Sequence, residues 1–142
     1  MRWMLVAVLS VLTLPAATAG QAETSARQAI AEPGLFVRQG ETWFFKVTNG
    51  QPADARKGIA AAKPGAGEIR VTLNGGMMAV LSGSQVSYNY QAFITGKASD
   101  KGKRTSVCTL MPGITVFESW PDDLLGIRLA NFEEASEEYG CF

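Results

Sequence analysis

The sequence predicts an all-β domain, an immunoglobulin-like β-sandwich of about seven or eight short antiparallel strands. Three observations carry that expectation. Apolar and polar residues alternate with a period of two in several runs, Gly, Pro, Asn and Asp recur at roughly eight- to twelve-residue intervals, and no stretch after the first segment shows a helical apolar stripe. A small closed β-barrel is the alternative architecture, since it answers to the same pattern.

The chain opens on Met1-Arg2-Trp3 and then runs apolar from Met4 to Leu14, broken only by Ser10 and Thr13. That run is too short to span a bilayer. Pro15 breaks it, and Ala17-Thr18-Ala19 has the small residues that a signal peptidase needs. Residues 1–19 therefore read as a cleaved secretory signal, with a mature chain beginning at Gly20 and no transmembrane segment left after cleavage. The expected location is the periplasm or the extracellular space. No Cys follows the cleavage point, so a lipid anchor is not indicated. Residues 20–34 are small, polar and Ala-rich and read as a flexible leader; Ser25 with Gln28 offers at most a weak capping box before Pro33-Gly34. Residues 35–142 are expected to form one sandwich domain, long enough for a real core but hardly for two.

Leu35-Phe36-Val37 suits a short edge strand. From Thr42 to Thr48, Trp43, Phe45 and Val47 share one face while Phe44 and Lys46 take the other, and Asn49-Gly50 supplies the left-handed dihedrals of a tight turn. The return, residues 51–57, is a poor strand because Pro52 cannot donate to a ladder; it belongs on an edge if it pairs. Residues 58–67 read as a loop. Ile69, Val71 and Leu73 point inward from the next strand, and Asn74-Gly75 marks a hairpin into Met77-Met78-Ala79-Val80-Leu81. The strongest strand signal follows, with Val86, Tyr88, Tyr90, Ala92 and Ile94 on one face and Ser87, Asn89 and Gln91 on the other. Further strands are expected over 105–110, 114–117 and 125–132, the last with Ile127 and Leu129 on one face and Arg128 and Ala130 on the other. There is no internal repeat.

The chain has 13 Lys and Arg, 13 Asp and Glu, and no His. Near-neutral charge gives no electrostatic reason for nucleic acid or an anionic membrane as partner. Without His, the commonest general base and the commonest metal ligand are missing. No G-x-S-x-G elbow, S-x-x-K near a helix start or D-x-D-x-D-G loop occurs, so neither a hydrolytic centre, a cofactor nor a metal is expected, and the protein reads as a non-enzyme. Cys108 and Cys141 are expected to form an internal disulfide, because a lone pair in an exported chain usually bridges and there is no C-x-x-C. Such a loop contributes on the order of 3–4 kcal/mol. Lys103 and Arg104 lie just before Cys108, and Glu137 and Glu138 just before Cys141, so these charges meet only if the tail runs parallel to its partner strand.

Two clusters remain. Glu118, Trp120, Asp122 and Asp123 place carboxylates near an indole, the composition of a carbohydrate-binding module or weak glycoside hydrolase, although solvated strand and turn residues would look the same. Lys97, Lys101, Lys103 and Arg104, with Asp100 among them, read as a solvated basic hairpin tip without the interleaved aromatics that single-stranded nucleic acid needs. Phe44 and Phe93 stand on the polar faces of their strands and, with Trp120, form a possible binding surface; if both sheet faces are covered, the two Phe are core instead. No motif names a ligand. The functional expectation is an exported module that binds a protein or an envelope component such as a polysaccharide, the alternatives being the carbohydrate site around Glu118, Trp120 and Asp122, or a subunit that assembles through a sheet edge.

Overall fold

The computed structural model describes residues 34–95, 102–121, 124–136 and 139–142. The signal, all of the leader before Gly34, Lys97, Asp100, Lys101, Asp122, Asp123, Glu137 and Glu138 lie outside the described residues. Within them the chain is a β-sandwich of two antiparallel sheets, not a closed barrel. Its strands are β1 (Leu35–Arg38), β2 (Thr42–Thr48), β3 (Gln51–Lys57), β4 (Ile69–Asn74), β5 (Met77–Ser82), β6 (Tyr88–Thr95), β7 (Lys103–Thr105), β8 (Thr115–Ser119) and β9 (Gly126–Glu134). One sheet runs β1-β9-β6-β7 and the other β3-β2-β4-β5-β8. Among the described residues, no helix is long and apolar enough to cross a membrane.

The core lies between the sheets, where alternation had placed it. Trp43 and Phe45 of β2, Ile69, Val71 and Leu73 of β4, Tyr90 and Ala92 of β6, and Ile127 and Leu129 of β9 are all buried. Fully burying each large apolar side chain stabilises by about 1.5–3 kcal/mol. Phe132 is the aromatic centre, stacked on Tyr90 at 5.2 Å and edge-on to Phe45 at 5.6 Å and Tyr88 at 6.0 Å. Strict alternation from Leu129 would turn Phe132 outward. It faces in because Asn131, with φ of 52°, inserts a bulge where the register against β6 slips between Asn89 and Gln91.

Three boundaries differ from those expected. Residues 51–57 form a full strand, and Pro52 is tolerated because β3 is the edge of its sheet. The β4-β5 hairpin turns on Gly75-Gly76, with Asn74 paired to Met77; both glycines take left-handed φ, 57° and 73°, at no Cβ cost. The strand expected over 105–110 is split. β7 covers Lys103 to Thr105, and beyond it Cys108 and Leu110 make isolated bridges, Leu110 to Tyr88 and Cys108 to Cys141.

The tail is fastened as the cysteines implied. Cys108 and Cys141 are bonded at a sequence separation of 33. Val107 and Phe142 exchange both backbone hydrogen bonds, and Thr109 N–H donates to the Gly140 carbonyl at 2.8 Å. The pairing is antiparallel, so the residues before Cys141 lead toward Thr109 and away from Lys103 and Arg104. The tail thus covers backbone beyond β7.

Candidate functional site

Trp120, just after β8, is half-buried against the core, and its Nε1 donates to Thr105 Oγ1 at 2.7 Å. The hydrogen bond ties the edge of the indole to β7. Glu118 points to the inner side of β8, where Met78 is its cross-strand neighbour, and its Oε1 accepts the Cys108 N–H at 2.8 Å. Burial first, and the Glu118 charge second, push the Tyr90 hydroxyl well above the usual phenol range. Asp122 lies outside the described residues, so of the carboxylates expected beside Trp120 only Glu118 has a described position, and it is engaged with backbone.

Phe44 and Phe93 are closed to solvent although both stand on the outer faces of their sheets. Phe44 is fully buried; the Arg56 guanidinium sits 4.3 Å from its ring centroid, and Gly58 approaches so closely that an added Cβ would strike the ring. Arg56 is itself held by Glu68 at 2.8 Å, which keeps the cation over the ring and the Glu68 carboxyl below its ordinary range. Phe93 is 8% exposed and lies beside Arg128 and Arg104 in the register of β9-β6-β7. Of the basic tip, Lys103 and Arg104 are exposed on β7. Two open grooves flank β6. The one of about 200 Å³ is lined by Asn89, Gln91, Arg104 and Asn131, but its amides are bonded to neighbours, with Asn131 Nδ2 donating to Gln91 Oε1 at 2.8 Å and Thr109 Oγ1 to Asn89 Oδ1 at 2.8 Å. The other, about 320 Å³, runs past Val86, Met111 and Tyr139. Among the described residues, no group of three His, Cys, Asp or Glu is placed to hold a metal ion.

The feature that stands out is the edge of the five-stranded sheet. Trp120 N–H donates to the Gly76 carbonyl, so the even-numbered residues of the β8 ladder turn their backbone groups toward β5. Thr115, Phe117 and Ser119 turn theirs outward, and no described residue bonds them. On the outer face of this edge Phe117 is 62% and Met77 47% exposed. Ala79, the cross-strand neighbour of Phe117, is too small to cover the ring. The other edges are blunted: β3 carries Pro52 and a bulge at Asp54, β1 is four residues long, and β7 is three residues with two cations. β8 has no Pro, no Lys and no Arg, and its one charge, Glu118, points inward.

The sequence predicts a strand over 114–117 but gives Phe117 no face. No local signal could have placed it on an open edge, because that depends on β8 being last in its sheet. Comparison of the chain with family models, with curated proteins and with solved structures gave no match.

Proposed function

We propose that the chain is an exported, non-enzymatic module that binds a protein partner by accepting an extended segment along the β8 edge. The observation that carries this reading is the coincidence of outward-directed backbone groups at Thr115, Phe117 and Ser119 with the exposed rings and chains of Phe117 and Met77. Strand addition uses these two ingredients: main-chain hydrogen bonds supply affinity, and alternate side chains supply selectivity. A large exposed aromatic near the centre of such a strip is the usual anchor of an interface. The disulfide supports an oxidising compartment, because a bond of this kind persists outside the reducing cytosol. The absence of His, together with the engagement of Glu118 by backbone, supports a binding role over hydrolysis.

The test is a photoreactive phenylalanine analogue placed at position 117, with one at Ile59, which is 69% exposed on a remote loop, as control. Irradiation of the protein in the cell that makes it is expected to give a discrete protein adduct from position 117 and none from position 59. Equal or absent labelling at both positions would remove the edge as the binding surface.

A further inference from the structure

We propose that the protein on the β8 edge is a second copy of this chain, paired antiparallel about a two-fold axis through Phe117; the inference rests on the edge-binding reading above and names its partner. The strand Thr115–Ser119 is self-complementary about its middle residue. With Phe117 facing its own mate, Thr115 falls opposite the mate's Ser119 and Val116 opposite the mate's Glu118. The residues whose N–H and C=O groups point outward, Thr115, Phe117 and Ser119, then meet one another as hydrogen-bonded pairs, and every free group along the strand finds a partner.

The side chains agree with this register. On the outer face the two Phe117 rings meet, flanked by Met77 and Ala79 of each copy, and the hydroxyls of Thr115 and Ser119 pair across the seam. No charged side chain from β5 or β8 lies on that face, so the approach of an identical surface meets no repulsion there. On the inner side, Glu118 stands diagonal to its mate, about 7–8 Å away, and directly opposite Val116. Its carboxylate already accepts the Cys108 N–H, which fixes it toward its own sandwich. The product is a single sheet continuous through both molecules, an isologous contact that closes and leaves no second open end. A five-residue strand pair falls below the ~1,200 Å² of a standard interface, which places the dimer in the weak, reversible class.

Two experiments on the exported full-length protein decide the matter. In sedimentation velocity from micromolar to millimolar concentration, the protein is expected to pass reversibly from monomer to dimer. Phe117→Lys should weaken that equilibrium at least tenfold, while Ile59→Lys leaves it unchanged; near-UV circular dichroism checks that both fold. The register is read by cysteine cross-linking. Phe117→Cys puts two thiols on facing residues with Cα atoms about 5.5 Å apart, within disulfide range, and should oxidise to a covalent dimer. Ser119→Cys puts the mates' Cα atoms about 14 Å apart and should not. A dimer that survives Phe117→Lys, or cross-links through Ser119→Cys in place of Phe117→Cys, overturns the proposed pairing. A protein that stays monomeric while the photoreactive residue at position 117 captures a different protein overturns the second copy as partner and leaves edge binding standing. If it stays monomeric and captures nothing, both fail.

Discussion

At the scale of single residues, the pH limits of the fold are set by a few named groups. Tyr90 is buried, and its hydroxyl has no hydrogen-bond partner among the described residues. Burial raises its folded pKa above the ordinary value of 10.0, with Glu118 adding to the effect. A group raised on folding contributes stability that is complete below its unfolded pKa and is lost as pH climbs through the folded one. Glu41 has the opposite sign. Burial alone would raise it, but the hydrogen bonds from Trp43 Nε1 at 2.9 Å and Arg38 N–H at 3.1 Å, with Lys57 at 3.0 Å, outweigh that and hold it below 4.5. Its contribution is present above pH 4.5 and disappears as pH falls through the lowered value. Denaturant melts across pH should therefore show a plateau with an acid limb below about 4.5 and an alkaline limb above about 10. Tyr90→Phe should weaken the alkaline limb and, by deleting an unsatisfied buried hydroxyl, leave neutral stability unchanged or raise it by about 1 kcal/mol. A loss of several kcal/mol in Tyr90→Phe would mean that the hydroxyl is bonded after all.

Among the elements, β9 shows most clearly what alternation can and cannot say. Ile127 and Leu129 were legible as core because a strand buried on one face must alternate. The bulge at Asn131 was not, since Leu-Ala-Asn-Phe contains no residue that announces an insertion, and only the pairing with β6 requires one. Asn131 adopts a left-handed φ that Asn and Gly tolerate and β-branched residues do not. Asn131→Val should therefore cost about 1–3 kcal/mol more than Asn131→Gly, measured by thermal or denaturant unfolding, although both variants lose the amide bonds to Gln51 and Gln91. Equal losses would assign the whole effect to the side-chain amide. β8 shows a related limit. Val116 and Phe117 are adjacent apolar residues, so alternation alone does not choose between them; Val80 pairs with Val116 and Ala79 with Phe117, and that register sends Glu118 in to the Cys108 N–H and Phe117 out to solvent. Phe44 was ambiguous because its cover comes from Arg56 and from Gly58 in a loop whose path no strand pattern encodes.

For the molecule as a whole, the sandwich class followed from turn spacing and alternation, whereas the strand order did not, because pairing partners are set by contacts far apart in sequence. β1 pairs β9, and β9 in turn pairs β6, so one sheet is assembled from the first, the middle and the last strands of the described domain. A topology so dominated by distant pairings should refold in milliseconds to seconds with the disulfide intact; a microsecond phase carrying the full amplitude in stopped-flow or temperature-jump fluorescence would contradict it. The same connectivity bears on the order in which the chain is made. β1 emerges from the ribosome early but cannot be satisfied until Gly126–Glu134 has been synthesised, and the bond from Cys108 must wait for Cys141. Until β9 exists, β1 has no ladder to join and β6 lacks one of its two neighbours. The sheet that holds the first strand is therefore the last to close, and a nascent chain stopped short of Gly126 should stay open to protease at β1 while the β2–β5 meander can already pair.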